Sequence, residues 1–341
     1  MSGNEINTVW LTINRKCNFR CLWCCAEGTN YGEEYEMSLQ LAIKLLRLGL
    51  DAGAKNIIIL GGEPTLWKPL PKLIAEINQI FPEGKPTIVT NGVLFSSDKF
   101  LRKFSGLKFD VELSLKAGNE AQYKELTRAS SFKRVKMALQ KLSSNNLLSG
   151  VSVTVSNRII NNLVEMAELV ADNGGKSISY EMCQPSFSFG KIDSQYLVHP
   201  AELAGKIVEV YPRINRVMNG NLCFQMSVPF CLFPEGFIEN LENESQMIIG
   251  CHVFSRNGLI FNSEGGVLLC NCLHHIPIGY YGDDFSNAET FRNWWNRKDV
   301  VGVNERLLAY PSENCENCGW YNHCGGGCCL QWFSFNPQEV L

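Results

Sequence analysis

The sequence predicts an α/β protein built on a parallel sheet and followed by a cysteine-rich C-terminal region. Two observations carry this. Short apolar runs of strand length alternate six times with segments whose apolar residues recur at helical spacing. The 15 cysteines among 341 residues also concentrate in two places, between Cys17 and Cys24 and again from Cys251 onward. The alternation by itself is met equally by an open doubly wound sheet and by a barrel-type one.

The first strand is Val9-Trp10-Leu11-Thr12-Ile13, and it runs into Cys17-Asn18-Phe19-Arg20-Cys21-Leu22-Trp23-Cys24, a C-x3-C-x2-C array. A four-iron four-sulfur cubane takes one cysteine per iron, so three thiolates leave one iron open to an outside ligand. Zinc, the rival occupant, usually needs a second pair. A helix follows, capped by Ser38, with Leu39, Ile43, Leu46 and Leu50 on one face and Gly53 at its end. Asn56-Ile57-Ile58-Ile59-Leu60 reads as a strand buried on both faces. Helix 70–81 then leads to strand 86–90, helix 97–105 to strand 109–115, and helix 131–144 to strand 150–156. Helix 161–173, stopped by Gly174-Gly175, leads to strand 177–182. Beyond it, Pro185, Phe187, Phe189 and Gly190 read as a loop near the mouth of the sheet. Residues 201–218 read as helix, and 221–231 as a link to a second domain.

The formal charge is −3, from 31 basic and 34 acidic residues, with no basic run to meet nucleic acid or an anionic membrane. No apolar stretch is long enough to span a bilayer, and Met1-Ser2-Gly3-Asn4-Glu5 lacks the regions of a signal peptide. The cysteines are therefore expected to be metal ligands in a reducing cytoplasm rather than disulfides.

Chemistry-bearing residues cluster just after strands, where such sheets keep their sites. Gly61-Gly62-Glu63-Pro64 follows the second strand, Thr90-Asn91-Gly92 the third, and Ser114-Leu115-Lys116 ends the fourth. The three-cysteine array with GGEP behind it resembles the signature of the radical S-adenosylmethionine (SAM) enzymes. The resemblance implies a six-unit partial (β/α)6 barrel over residues 1–200. It also implies a 4Fe–4S cluster on Cys17, Cys21 and Cys24 that binds SAM at its open iron. Gly61, Gly62, Glu63 and Pro64 would then meet the methionine amino group. Asn91 lies in a segment that is either a turn or a direct contact, and Ser114 would lie near the ribose or carboxylate. Lys116 stands where relatives carry an acid, and either pairs with the SAM carboxylate or is solvated. Arg128 is a second candidate for that carboxylate, and Trp23 either faces adenine or packs.

Farther on, Cys251 opens C-x13-G-x4-C through Gly265 to Cys270. Cys315, Cys318, Cys324 and Cys328 form C-x2-C-x5-C-x3-C. Together these resemble the SPASM domain, here 251–341, joined to the barrel by a bridging region, 201–250. Two auxiliary iron–sulfur clusters are implied, on Cys251, Cys270 and Cys328 and on Cys315, Cys318 and Cys324. Their fourth ligands are sought among Cys231, Cys272 and Cys329. A single auxiliary cluster on Cys251, Cys270, Cys315 and Cys318 is the shorter alternative, and zinc at 315–328 the structural one.

The resemblance implies an oxidoreductase that cleaves SAM reductively to a 5′-deoxyadenosyl radical, with electrons from a flavodoxin or ferredoxin. The expected substrate is a peptide or protein, as in ribosomal-peptide (RiPP) maturases that cross-link, oxidise or epimerise. Cys183, Cys223 and Glu181 are candidate hydrogen donors or acid–base groups, with Tyr180 beside Glu181. Met1 to Lys16 is too short a stretch for a leader-binding domain, so a separate leader-binding protein is a possible partner. The alternatives are a small-molecule dehydrogenase or epimerase acting on an aminoglycoside-like sugar and, from another class, a non-catalytic electron-transfer protein.

Overall fold

The computed structural model describes residues 5–24, 35–188, 191–248 and 251–341. The first half alternates as expected. In order come β1 (Thr8–Thr12), α1 (Leu39–Asp51), β2 (Asn56–Leu60), α2 (Leu70–Ile80), β3 (Thr87–Thr90), α3 (Asp98–Leu101) and β4 (Asp110–Leu115). Then follow α4 (Glu120–Thr127), α5 (Phe132–Ser144), β5 (Leu148–Val155), α6 (Leu163–Asp172) and β6 (Ile178–Met182). Strands β1 to β6 lie side by side in chain order, each pair parallel. A doubly wound sheet would reverse its order at a switch point, so the sequential order identifies a singly wound, barrel-type sheet. Right-handed crossovers put the connecting helices on one side. The other face is left to line a cavity.

The sheet continues past both ends of this run. A separate antiparallel pair, β7 (Ser186–Ser188) and β8 (Lys191–Asp193), precedes helix α7 (Pro200–Val217). Phe189 and Gly190, read as part of a mouth loop, lie outside the described residues. Strands β9 (Leu222–Gln225) and β10 (Met247–Ile248) then add in parallel beyond β6. At the opposite edge β11 (Gly258–Phe261) pairs in parallel with β1, placing Ile260 opposite Trp10. β12 (Gly266–Leu268) and β13 (Gly279–Tyr280) follow antiparallel. Strands from the bridging and cysteine-rich regions are thus hydrogen-bonded into the barrel sheet itself.

Alternation along each strand sorts the two faces. Val9, Leu11, Ile57, Ile59, Ile88, Val111, Leu113, Val153, Tyr180, Phe224 and Leu259 are buried toward the helices, each worth about 1.5–3 kcal/mol. Strand β2 is therefore not buried alike on both faces: Ile58 and Leu60 turn to the cavity. The Ser38 cap of α1 accepts from the Leu41 amide at 3.1 Å, as expected. The buried face of α1 centres on Ala42, Leu45, Leu46 and Gly49, however, while Leu39, Ile43 and Leu50 flank it. Gly49 explains the rotation, since a Cβ there would stand 2.8 Å from the Val9 side chain.

Three further expectations change. Helix 97–105 is one α-turn followed by a tighter 3₁₀ turn, Arg102–Phe104. Phe95, Phe100, Phe104 and Phe109 close on one another there, with centroids 5.1–6.3 Å apart. Residues 222–225, read as a link, are a sheet strand. Helix α4 was not foreseen, because only Tyr123, Leu126 and Thr127 of its eight residues are buried. No helix among the described residues is long and apolar enough to cross a membrane.

Candidate active site

The cavity on the inner face has a volume of about 1510 Å³. The strands floor it with Trp10, Ile58, Val89, Glu112, Ser114, Thr154, Glu181 and Gln225. At the C-terminal strand ends it meets Cys17, Cys21, Trp23, Cys24, Gly61, Gly62, Glu63, Asn91 and Lys116. Cys251, Cys270, Cys272, Cys324, Cys328 and Cys329 line it from the C-terminal region. Both cysteine frameworks therefore border one space.

The first cysteine loop is held from beneath by α4. The Arg20 amide donates to the Thr127 carbonyl at 2.9 Å and the Leu22 amide to the Leu126 carbonyl at 3.0 Å. Within the loop, the Phe19 amide donates to Cys17 Sγ at 3.3 Å and the Cys24 amide to the Cys21 carbonyl at 3.1 Å. Burial pushes the Cys17 thiol up to about 12, helped by the Glu63 carboxylate and opposed by the Lys116 ammonium. Burial likewise raises Cys21, again against Lys116. Burial accounts for these raised thiols; what suits the three to a shared centre is their C-x3-C-x2-C spacing on one loop. Trp23 is buried beside Cys24.

Gly61 and Gly62 serve a close approach, and the group that approaches is the chain leading into the cysteine loop. A Cβ on Gly62 would lie 2.3 Å from the Arg15 carbonyl oxygen, and one on Gly61 would lie 2.1 Å from Asn14 Oδ1. The Gly62 and Glu63 amides donate to the Asn14 and Lys16 carbonyls at 2.9 and 2.8 Å. Glu63 is buried. Its Oε1 accepts from the Thr65 amide (3.0 Å) and from the Thr65 and Thr90 hydroxyls (2.5 Å each), and its Oε2 from the Asn91 amide (2.9 Å). Burial raises its pKa and these bonds pull it back down. Glu63 thus cross-braces the ends of β2 and β3. Pro64 opens a buried 3₁₀ turn behind it and does not line the cavity.

On the floor, the Lys116 ammonium donates to Ser114 Oγ at 2.5 Å. Glu112, which the sequence reading passed over, and Glu181 both face the cavity from β4 and β6. Burial and then the neighbouring Glu112 carboxylate raise Glu181 to about 7, with Lys116 opposing. Burial raises Glu112 as well, against a Ser152 hydrogen bond and Lys116. Alternation held the missing signal, because Glu112 and Ser114 must share a strand face. Tyr180 points the other way. Its hydroxyl donates to the Leu163 carbonyl at 2.7 Å under the helices, which removes it from the candidate acid–base groups. Cys183 lines the cavity. Cys223 and Arg128 do not: Cys223 lies lower on β9, and Arg128 is exposed on the left-handed turn after α4, with φ of 55°.

The second framework resolves into two sets. The segment before Cys231 folds against 324–328: the Phe230 amide donates to Cys324 Sγ at 3.3 Å and the Cys328 amide to the Ser227 carbonyl at 2.8 Å. Burial raises the Cys231 thiol, and Cys324, Cys315 and Cys318 raise it further. Burial raises Cys251 to about 11, with Cys270 and Cys329 adding to it. Cys328 donates to Cys329, which raises the first thiol and lowers the second. The thiols thus act on one another in two neighbourhoods, Cys251, Cys270, Cys328 and Cys329 in one and Cys231, Cys315, Cys318 and Cys324 in the other, although among the described residues no three such side chains stand as one group able to hold a metal ion. Cys272 sits beside the first, its amide donating to Cys270 Sγ at 3.4 Å. The three glycines at 325–327 all have φ between 60° and 80°, which turns the chain sharply between the two sets.

The family model described as Radical SAM superfamily matches residues 11–177. A "Probable GTP 3′,8-cyclase" of Methanococcus maripaludis (strain C6) is 34% identical over 142 residues, 41% of this chain and 46% of that protein. A "GTP 3′,8-cyclase" of Clostridium perfringens (strain 13) is 27% identical over 155 residues, 45% of this chain and 48% of that protein. The chain spans just under half the length of these curated relatives. Among solved structures, Streptococcus suis SuiB bound to S-adenosylmethionine superposes with a TM-score of 0.74 at 19% identity, over 98% of this chain and 76% of that one. SuiB bound to its precursor peptide SuiA gives 0.73 at 17% identity, over 98% and 74%. For anSMEcpe with AdoMet and the Cp18Cys peptide the TM-score is 0.65 at 17% identity, over 95% and 88%. These likenesses show a shared fold.

Proposed function

We propose that this chain, whose residues 11–177 match the Radical SAM superfamily model, is a three-cluster enzyme that uses a 4Fe–4S cluster and SAM to modify a peptide or protein. When bound, the SAM cluster and SAM supply one electron and a radical that removes hydrogen from an unactivated C–H bond. Cys17, Cys21 and Cys24 hold that cluster. SAM is received by the Gly61–Gly62–Glu63 segment, Asn91, Ser114 and Lys116, with Trp23 beside it. Glu63 acts in this reading mainly by fixing the loops that meet SAM. Cys251, Cys270, Cys328 and Cys329 hold one auxiliary cluster; Cys231, Cys315, Cys318 and Cys324 hold the other. Glu112, Glu181 and Cys183 face the substrate.

One observation carries the peptide reading: the two cysteine frameworks share a single cavity of about 1510 Å³. Small-molecule sites ordinarily enclose about 300–1,000 Å³; this space must also take SAM and the clusters, and what it offers the substrate is a position between the two frameworks. The whole-chain likeness to SuiB and anSMEcpe, both solved with peptides, supports it. A small-molecule substrate is the second reading, favoured by the cyclase names of the relatives that match about two-fifths of the chain. Reduction by a flavodoxin or ferredoxin in the cytoplasm completes the proposal.

The test is anaerobic reconstitution with iron and sulfide counting, then dithionite and SAM with assay for 5′-deoxyadenosine. About twelve irons and 5′-deoxyadenosine that disappears in the Cys17/Cys21/Cys24→Ala triple variant are expected. Mass change in short precursor peptides encoded near the chain, with none in nucleotides or amino sugars, would fix the substrate class. Full iron loading without 5′-deoxyadenosine would overturn the reading.

A further inference from the structure

Helix α4 carries one side chain that packing alone does not explain. Tyr123 is wholly buried, its ring edge-on to Phe19 of the cysteine loop (centroids 5.8 Å, 81°) and tilted against Phe132 (5.5 Å). Its hydroxyl is buried too, and has no hydrogen-bond partner among the described residues. A buried polar group left this way costs about 1–3 kcal/mol, and phenylalanine would fill the same space without that cost. The charged groups acting on the hydroxyl are Cys21, Glu63 and Cys17. Glu63 Oε1 already accepts three hydrogen bonds, from the Thr65 amide and the Thr65 and Thr90 hydroxyls, and its Oε2 one, from the Asn91 amide. Sulfur at the cysteine loop, which brings Phe19 against the Tyr123 ring, is an acceptor in these surroundings.

Resting on the reading that Cys17, Cys21 and Cys24 hold an iron–sulfur cluster, we infer that the Tyr123 hydroxyl donates a hydrogen bond to sulfur of that cluster and raises its reduction potential. A donor aimed at cluster sulfur favours the reduced, more negative state. Tyr123 is a positioning and tuning residue, because it acts through the cluster. The same helix supplies the Thr127 and Leu126 carbonyls that hold the loop, so one short element both seats the loop and adjusts its electronics.

The test uses the full-length protein, reconstituted anaerobically as wild type, as Tyr123→Phe and with 3-fluorotyrosine at 123. Redox titration follows the paramagnetic signal that changes when SAM is added. With equal iron content, Tyr123→Phe should shift that midpoint to more negative values. The more acidic fluorotyrosine should shift it the opposite way, and both should leave the other clusters unmoved. Apo Tyr123→Phe should melt at or above wild type. Unshifted midpoints in both variants, with the SAM-sensitive signal present in wild type, overturn the tyrosine role alone. A wild type that takes up no iron on the cysteine loop overturns the underlying reading as well.

Discussion

The Asn91 side-chain amide donates to the Asn18 side-chain Oδ1 at 2.8 Å, so the end of β3 grips the middle of the cysteine loop. Asn91 Oδ1 meanwhile accepts from the Val93 amide at 3.1 Å. Asn91→Ala breaks both bonds and leaves the amide of buried Val93 without its partner, while exposed Asn18 turns to water. It should lower stability by about 1–3 kcal/mol and reduce iron retained through desalting, measured by denaturant unfolding and iron assay.

The two glycines after β2 should respond differently to alanine. At Gly62 the new methyl meets the Arg15 and Lys16 backbone, whereas at Gly61 its tightest contact is the Asn14 side chain. Gly62→Ala is expected to cost about 3 kcal/mol. Gly61→Ala should cost less and be partly rescued by Asn14→Ala, which should give no rescue to Gly62→Ala. Thermal melts of the four variants check this.

Glu181 sets a pH dependence. Its folded value, about 7, lies above its ordinary 4.5. The folded protein therefore holds a proton that the unfolded chain has released, and stability falls as pH rises from about 4.5 to 7. A displacement of that size corresponds to on the order of 3 kcal/mol, shared with Glu112. Between pH 5 and pH 8 the apo wild type should lose stability relative to Glu181→Gln. Parallel curves for the two proteins in urea unfolding would contradict this.

The cysteine sets should separate on substitution. Cys231→Ser should perturb the cluster that needs Cys315, Cys318 and Cys324, while leaving the signal that depends on Cys251 and Cys270. Cys329→Ser should do the reverse. Complete loss of either set should lower the iron count by about four, read by iron assay and Mössbauer spectroscopy.

Much of this was legible because it is local. Strands 56–60, 87–90 and 110–115 and the helices between them are short-range periodicities. The Ser38 cap and the spacing of the first three cysteines are likewise written in consecutive residues. What stayed hidden depended on distant partners. Nothing near Gly258–Phe261 reveals that it pairs with Thr8–Leu11. Nothing near Cys231 reveals Cys324 either, since their meeting depends on the Ser227–Phe230 segment folding onto 324–328. Helix α4 was missed for another reason: its outer face is polar and Tyr123, Leu126 and Thr127 make only a narrow apolar stripe. Asn119, whose side chain accepts from the Gln122 amide, was the available clue.

The placement of β1 between β2 and β11 has a consequence for how the protein is made. Synthesis delivers the cysteine loop well before the second neighbour of its supporting strand, which arrives only with residues 258–261. Until then β1 is an open edge, and the loop hangs from an unfinished border. Metal insertion that waits for a settled loop must follow the emergence of residues 258–261 from the ribosome. Chains truncated before residue 258 should emerge with an exposed edge and a strong tendency to aggregate.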